Sequence, residues 1–305
     1  MIIKTKAHWF KMLFEWKGSV LPQLLPRLTL LFIFAASVVY FQGFFQTYNL
    51  SIDPAIFTLF GVALAIFLGF RNSASYERWW EARKLWGALL NDTRSIARQS
   101  YSLIDDEDYQ KKRTDFINKM IALVHTLRHQ LRFTDSSDDL KRLLKSEDLL
   151  EISKTKYQPI MLLQKMAQQI KEAKKEQRIT AIEQLAFEDN FNKISDIIGG
   201  CERIASTPIP YTYSVLLHRT VYLYCFLLPF GFVQTLGWMT PFAIVFIAYT
   251  FVALEAIADE LEDPFGLQPN DLALDAMSKM IENTLLEIDN RPDFHDEKFD
   301  NYFIT

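Results

Sequence analysis

Three acidic side chains recur at helical spacing near the end of the longest uncharged part of the chain. Glu255, Asp259 and Glu262 are separated by four and three residues, so a helix places them on one face. Grouped carboxylates can coordinate a divalent cation, although this spacing differs from that of an EF-hand loop. The pattern is equally typical of a solvated face or of ion-pair partners for arginine and lysine. A weak candidate metal site and a plain ion-pair cluster therefore remain as alternatives.

Two histidines form the other constellation with metal-binding spacing. His125 and His129 are four residues apart, which allows both to face zinc from one helix. No nearby cysteine or glutamate completes a ligand set, although Asp135 is close, so structural roles are favoured. No GxGxxG, P-loop or CxxC motif occurs, and catalytic triads require an arbitrary choice of distant residues. The sequence predicts no enzyme and no cofactor.

A third pattern is a stripe of apolar side chains, which could control the passage of ions without any chemical reaction. Residues 55–70 contain no charge, and within them Val62, Ile66 and Phe70 follow one another at four-residue intervals. A helix places these three in one slowly rotating stripe. A narrow ring of such side chains excludes water and ions until it widens, which is gating by dewetting. Packing against lipid or protein is the alternative interpretation of the stripe.

Small residues line a neighbouring stripe of the same segment. Gly61, Ala65 and Gly69 also recur every fourth residue, and small residues let a second helix approach closely. Charged residues begin at Arg71 with no intervening proline, so one helix is predicted to leave an apolar medium and continue in water to about residue 103. A bulky stripe beside a small one suits a symmetric assembly around a narrow pore.

The composition indicates a helical membrane protein. Half of the 305 residues are hydrophobic, with 25 Phe but only 10 Gly and 11 Pro, and the net charge of −4 gives no reason to expect nucleic acid binding. Four apolar runs are predicted as transmembrane helices although each is short for a lone span. They cover residues 28–45, 55–70, 213–233 and 239–254.

Positive charges predict the orientation of these spans. Residues 1–27 carry five Lys or Arg and residues 71–100 carry six, whereas the connectors 46–54 and 234–241 carry none. Because cytoplasmic loops are enriched in Lys and Arg, both connectors should face outward and both termini inward. The predicted location is the inner cell membrane, with several spans and with both termini in the cytoplasm.

The chain is therefore divided into five parts. These are a cytosolic N-terminal segment, transmembrane helices 1 and 2, a cytosolic helical domain, transmembrane helices 3 and 4, and a cytosolic C-terminal segment. Their predicted bounds are 1–27, 28–71, 72–212, 213–256 and 257–305. Apolar residues at helical spacing predict further helices in the cytosolic parts. Their approximate bounds are 109–133, 159–175, 180–204 and 271–289.

A glycine pair precedes the third predicted span. The pair at 199–200 is expected to loosen or end the preceding helix. Glu202 and Arg203 follow it and are expected to pair with Arg78 or Glu81. The favoured interpretation is a structural elbow held by ion pairs.

Three segments of the chain resemble a known family. They are FLGFRNSASYERWWEARKLWG at 67–87, GGCERIASTPIPYTY at 199–213 and ELEDPFG at 260–266. Together they resemble bestrophins of the short prokaryotic kind, and the order of spans agrees along essentially the whole chain. The resemblance implies a homopentamer in a lipid bilayer. Each all-α subunit would contribute four transmembrane helices and a large cytosolic part to one central pore for small monovalent ions.

The resemblance also implies roles for individual residues. Its neck positions map by motif onto Val62, Ile66 and Phe70. A second, cytosolic constriction in the family lies on the helix preceding GGCER, where Ile182 is the candidate and Ile179 the fallback.

Departures from the family pattern affect calcium binding and selectivity. Animal members bind calcium through an acidic run directly after PFG, and here only Asp271 remains of that run, as a fourth weak metal candidate. No high-affinity calcium site of that type is predicted.

The family is labelled an anion channel, chiefly for chloride, while some prokaryotic members pass cations. Asp53 on the outside, and the acidic tail and insert on the inside, favour cations here.

Two other functions compete with the channel. A non-conducting membrane scaffold or sensor could bind a cytosolic partner through its helical insert. A carrier is disfavoured because the first two spans do not resemble the last two, whereas carriers usually contain inverted repeats.

Overall fold

The computed structural model describes residues 9–12, 15–16, 18–43, 53–104 and 109–291, with the side chain of Lys11 excepted. Regular structure in these residues is helical throughout, which confirms the all-α prediction. Eleven α-helices, numbered α1 to α11, and one 3-10 turn occur there. In chain order they are Trp9–Met12, Leu21–Tyr40, Pro54–Ser102, Gln110–Arg132, Ser137–Leu143, Ser146–Ile152, Gln158–Lys175, Ala181–Ser206, Tyr211–Leu236, the turn Gly237–Met239, Thr240–Glu262 and Leu274–Ile288.

Helix α3 is the longest element, with 49 residues from Pro54 to Ser102. It begins at a proline, which is tolerated in a first helical turn because the missing N–H would have no partner there. No other proline interrupts it, and its charged half is rich in good helix formers. The predicted continuation of the apolar segment into a charged helix is confirmed.

The chain forms two compact units. One contains Pro208–Pro264 and the described part of Lys4–Trp79, and is called the membrane unit after its predicted location. The other contains Trp80–Thr207 and the described part of Phe265–Thr305, and is called the cytosolic unit after its predicted location. The boundaries of the compact units lie several residues from the predicted domain bounds at 71/72, 212/213 and 256/257, which stay predictions.

Apolar helices build the membrane unit. Three segments of the described chain are long and apolar enough to cross a membrane: Leu21–Tyr40, Pro54–Ser102 and Tyr211–Glu262. The last comprises α9 and α10, joined by the short 3-10 turn. A helix suits a bilayer because it satisfies its backbone hydrogen bonds internally. Helix α2 begins seven residues before the predicted start at 28, and the predicted residues 44 and 45 lie outside the described residues.

The glycine pair at 199–200 does not end a helix, which corrects the prediction. Helix α8 continues through both residues to Ser206. A Cβ atom on Gly200 would lie 2.9 Å from Cδ1 of Leu85, so the residue serves close helix packing within the cytosolic unit. The expected ion pair between Arg203 and Glu81 is present. Glu202 instead accepts a hydrogen bond from the Gln130 side chain at 2.6 Å.

Helix α4 occupies the centre of the cytosolic unit. Its apolar side chains from Phe116 to Leu127 are almost wholly buried. Phe116 contacts Phe187 and Phe191 of α8 through ring pairs about 6.4 Å apart. Helix α8 begins with a capping box in which Thr180 and Glu183 bond each other's backbone N–H groups, and this explains why it starts where predicted.

A buried ion cluster joins α4, α5 and α11. Glu282 is 2% exposed and its Oε2 lies 2.9 Å from Nε2 of His125, while Arg142 binds its other oxygen. Nε2 of His129 lies 3.1 Å from Asp139, and Nδ1 of His125 lies 3.6 Å from the same carboxylate. Both histidines thus have structural partners, as favoured from their sequence context.

This cluster predicts that acid destabilises the protein. Burial raises the pKa of Glu282, but hydrogen bonds from His125 and Arg142 outweigh it, so the net pKa is lowered. The pKa of Asp139 is lowered in the same way against burial, and burial lowers the pKa of His129. In each case the unfolded chain binds protons more readily, so stability is lost as pH falls.

We expect the thermal unfolding temperature of the detergent-solubilised protein to be level above about pH 7 and to decline below about pH 6.5, where an unfolded histidine titrates. The decline should steepen below about pH 4.5, where unfolded carboxylates take up protons. Circular dichroism over this pH range checks the prediction. An unfolding temperature that stays level down to pH 4 would contradict it.

Candidate functional site

The apolar part of α3 has one buried face. At 100° per residue, five buried side chains lie within about 40° of a common direction. They are Phe57, Leu64, Leu68, Arg71 and Ser75. Leu64 and Leu68 pack in a core with residues of α2, α9 and α10, so this face is the one that attaches α3 to the membrane unit.

The three predicted neck residues lie on the opposite face. Val62, Ile66 and Phe70 are 56%, 53% and 66% exposed, and they centre about 180° from the buried direction. The structure therefore brings them into one exposed row. A subunit that packs by its buried face leaves this row for a shared axis or another surface.

The small-residue stripe divides between two environments. Gly61 lies against Tyr224 of α9, where an added Cβ would be 2.7 Å from the phenol oxygen. Ala65 is exposed, and nothing lies within 4 Å of a Cβ built on Gly69. Gly61 thus serves packing within the subunit, while the surface at Ala65 and Gly69 is open to a neighbouring helix.

Directly after this exposed row, ionic and backbone contacts attach α3 to α10. Arg71 is buried and pairs with Asp259, and Oε2 of Glu262 lies 3.6 Å from the same guanidinium. Nδ2 of Asn72 donates to the carbonyl oxygen of Leu254 at 3.0 Å. Arg71 was not predicted as a site residue, although its place as the first charge after an uncharged run was a usable signal.

The four weak metal candidates have protein partners. Oε1 of Glu255 lies 2.6 Å from Nδ1 of His218, so Glu255 does not join Asp259 and Glu262 at Arg71. Oε1 of Glu262 accepts the backbone N–H of Ile209 at 3.0 Å. Asp271 is buried in the cytosolic unit, where it accepts the backbone N–H of Gln268 at 2.7 Å.

No group of three metal-binding side chains occurs within the part of the chain that the structure describes. The three membrane-unit carboxylates have hydrogen-bond and ion-pair partners there, and the weak metal site stays an untested alternative.

The two candidates for a cytosolic constriction differ in accessibility. Ile182, in the first turn of α8, is 80% exposed, whereas Ile179 is 5% exposed and buried. A residue that lines an aqueous passage must reach solvent in its own subunit. Ile182 meets this condition in the described chain and Ile179 does not, while the cytosolic constriction itself stays a prediction.

Comparisons with known proteins identify the family. The family model described as "Bacterial/Fungal Bestrophin protein" matches residues 1–287. The chain is similar to the voltage-dependent anion channel-forming protein RSc3414 of Ralstonia nicotianae, with 47% identity over 100% of this chain and 99% of the relative. It is 40% identical to the voltage-dependent anion channel-forming protein YneE of Escherichia coli K12, over 95% of this chain and 94% of the relative.

A solved structure agrees with these relatives. The fold is similar to the crystal structure of a bacterial bestrophin homologue from Klebsiella pneumoniae, with a TM-score of 0.85 and 38% identity. The match covers 88% of this chain and 100% of that one. The predicted resemblance is thus confirmed along nearly the whole chain, and the protein belongs to the bestrophin family.

Proposed function

We propose that this chain is a homopentameric ion channel whose neck is formed by Val62, Ile66 and Phe70. Each subunit would contribute four transmembrane helices, with both termini in the cytoplasm of the inner membrane. The observation that carries the proposal is the exposed apolar row of α3, which lies opposite the face that packs in its own subunit. Family membership and the names of the relatives support conduction of small ions.

The geometry supports a gate that works by exclusion of water. Five copies of the row around one axis would enclose a passage without a polar atom from these side chains. Ions keep their hydration only in a wide or polar passage. A narrow apolar ring therefore blocks ions even when its side chains do not touch each other. The open surface at Ala65 and Gly69 would allow the α3 helices of adjacent subunits to approach closely. Ile182 would form the second constriction.

The relatives' names favour anions as the permeant ions. The apolar neck itself has no preference for charge sign, so selectivity would arise from charges at the two mouths. The lean towards cations from Asp53 and the acidic tail remains a competing prediction. We propose anions on the strength of the relatives.

Reversal potentials in planar bilayers test both conduction and charge sign. With a tenfold NaCl gradient, ideal selectivity shifts the reversal potential by about 59 mV, with opposite signs for chloride and sodium. The anion proposal requires the chloride sign. A reversal potential with the sign expected for sodium would support an ion channel and contradict the proposed anion selectivity. Absence of current and of flux from liposomes would favour the scaffold or sensor instead.

A further inference from the structure

We propose that a groove on the membrane unit binds an anionic phospholipid of the cytoplasmic leaflet. The groove has a volume of about 650 Å³ and lies between α2 and α9, with Ala248 and Val252 of α10 also lining it. This inference needs the chain to lie in a bilayer in the predicted orientation, but it does not need the chain to conduct ions.

Two arginines mark one end of the groove. Nη1 of Arg27 donates to the phenol oxygen of Tyr222 at 2.8 Å, which holds the guanidinium of α2 against α9. Arg219 lines the same groove from α9. Among the residues that the structure describes, neither guanidinium has a carboxylate partner. Arginine binds phosphate through paired N–H donors, so this end suits a phosphate headgroup.

A carboxylate near this end is already paired. Glu255 is buried, and its Oε1 lies 2.6 Å from Nδ1 of His218, another lining residue. This pair carries at most one negative charge. With two arginines present, the net charge of this end is positive.

The remainder of the groove is apolar and begins next to the two arginines. Phe34 lies seven residues after Arg27 on α2, and Leu223 and Phe226 lie four and seven residues after Arg219 on α9. These spacings place each apolar residue on the face of its arginine. Seven residues of helix span about 10 Å, which is a substantial part of one leaflet's hydrocarbon depth.

Contacts between α2 and α9 show that the polar end of one helix lies beside the polar end of the other, and the apolar part beside the apolar part. The pairs run from Arg27 with Tyr222 to Phe34 with Phe226, whose rings stack with centroids 4.3 Å apart. The helices therefore run in the same direction, with both arginines at one end and the stacked rings at the other. A charged end followed by an apolar channel matches an amphiphile with an anionic head and acyl chains.

The predicted orientation assigns this amphiphile to a leaflet. Arg27 precedes most of the apolar part of the first span, so it lies on the cytoplasmic side under the positive-inside rule. Anionic lipids attract basic residues at this interface, and an apolar groove retains the chains as well as the headgroup. A free phosphate would use only the arginine end.

Native mass spectrometry of the full-length protein in detergent tests the proposal. The probes are phosphatidylglycerol and phosphatidylcholine with identical chains. We expect the wild type to prefer phosphatidylglycerol by about tenfold or more, because each arginine contributes to headgroup attraction. The Arg27→Gln/Arg219→Gln double variant should lose this preference. Arg27→Lys/Arg219→Lys should retain most of it, since the charges remain.

Controls separate this site from general charge effects. Lys171→Gln/Lys174→Gln removes two exposed charges from α7 and should leave the preference unchanged. Leu223→Trp narrows the apolar part without changing charge and should weaken phosphatidylglycerol binding severalfold. This variant keeps the proposal testable if the double arginine variant does not fold.

Three outcomes would overturn the proposal. The first is an undiminished phosphatidylglycerol preference in the double arginine variant together with undiminished phosphatidylglycerol binding by Leu223→Trp. The second is equally effective competition by glycerol 3-phosphate, which would identify a free anion as the ligand. The third is complete protection of Leu223→Cys from a thiol-reactive maleimide in the lipid-free protein in detergent, which would show that a second copy of the chain covers the groove.

Discussion

Replacing Ile66 by alanine raises the open probability or the single-channel conductance of the proposed channel by about tenfold. A tenfold shift of the equilibrium between closed and open states corresponds to a free-energy change of ~1.4 kcal/mol. Ile66 is the middle residue of the exposed apolar row on α3. Alanine removes three carbon atoms from each copy, so a ring of five becomes wider and less apolar at once. Both changes favour water in the passage, and ions follow water. Recordings from single channels in planar bilayers measure the effect.

The matched control is Ile33→Ala on α2. Ile33 is also an exposed isoleucine of the membrane unit, but it lies outside α3. It should leave gating and conductance close to those of the wild type. Equal behaviour of the two variants would remove Ile66 from the neck and would leave the row as a lipid or subunit contact.

Replacing Glu282 by glutamine should lower the stability of the cytosolic unit by about 3 kcal/mol, as is typical when one partner of a buried ion pair is removed. The carboxylate is almost fully buried between His125 and Arg142, which belong to α4 and α5. Glutamine has a similar shape but removes the negative charge that Arg142 binds, so that Asp139 is the one carboxylate left beside this guanidinium among the described residues. The expected drop in unfolding temperature is roughly 6–12 °C. Thermal unfolding followed by circular dichroism at pH 7.5 measures it.

Asp138→Asn provides a control with the same chemistry at the surface. Asp138 is fully exposed and pairs only with Lys141 at 3.3 Å among the contacts of the described chain. Such a pair contributes about 0–1 kcal/mol, so the unfolding temperature should scarcely move. A similar drop for both variants would show that net charge, rather than the buried cluster, controls stability.

Helix location followed from the sequence because it depends on local patterns. The uncharged run before Arg71 and the lack of later proline predicted α3, and apolar spacing over residues 180–204 predicted α8. Gly200 was misread because a glycine pair usually weakens a helix. The contact with Leu85 that accounts for it is distant in the chain, so local patterns could not show it.

Long-range partners were the other feature that the sequence could not supply. Its three acidic residues after the last span were compatible with a metal site or with ion pairs. Folding separates them, because Glu255 pairs with His218 while Asp259 and Glu262 approach Arg71. His125 and Glu282 are 157 positions apart, and no periodicity connects them.

By itself, the sequence determined the helical class, the apolar segments and the row of residues on α3, because hydrophobicity and helical spacing are properties of neighbouring residues. Only the tertiary structure decided which face of α3 is buried, and therefore that Val62, Ile66 and Phe70 are exposed. It also brought Arg27 and Arg219 to one groove. The physical reason is that burial and charge pairing depend on which distant helices pack together, and packing is decided by the whole chain.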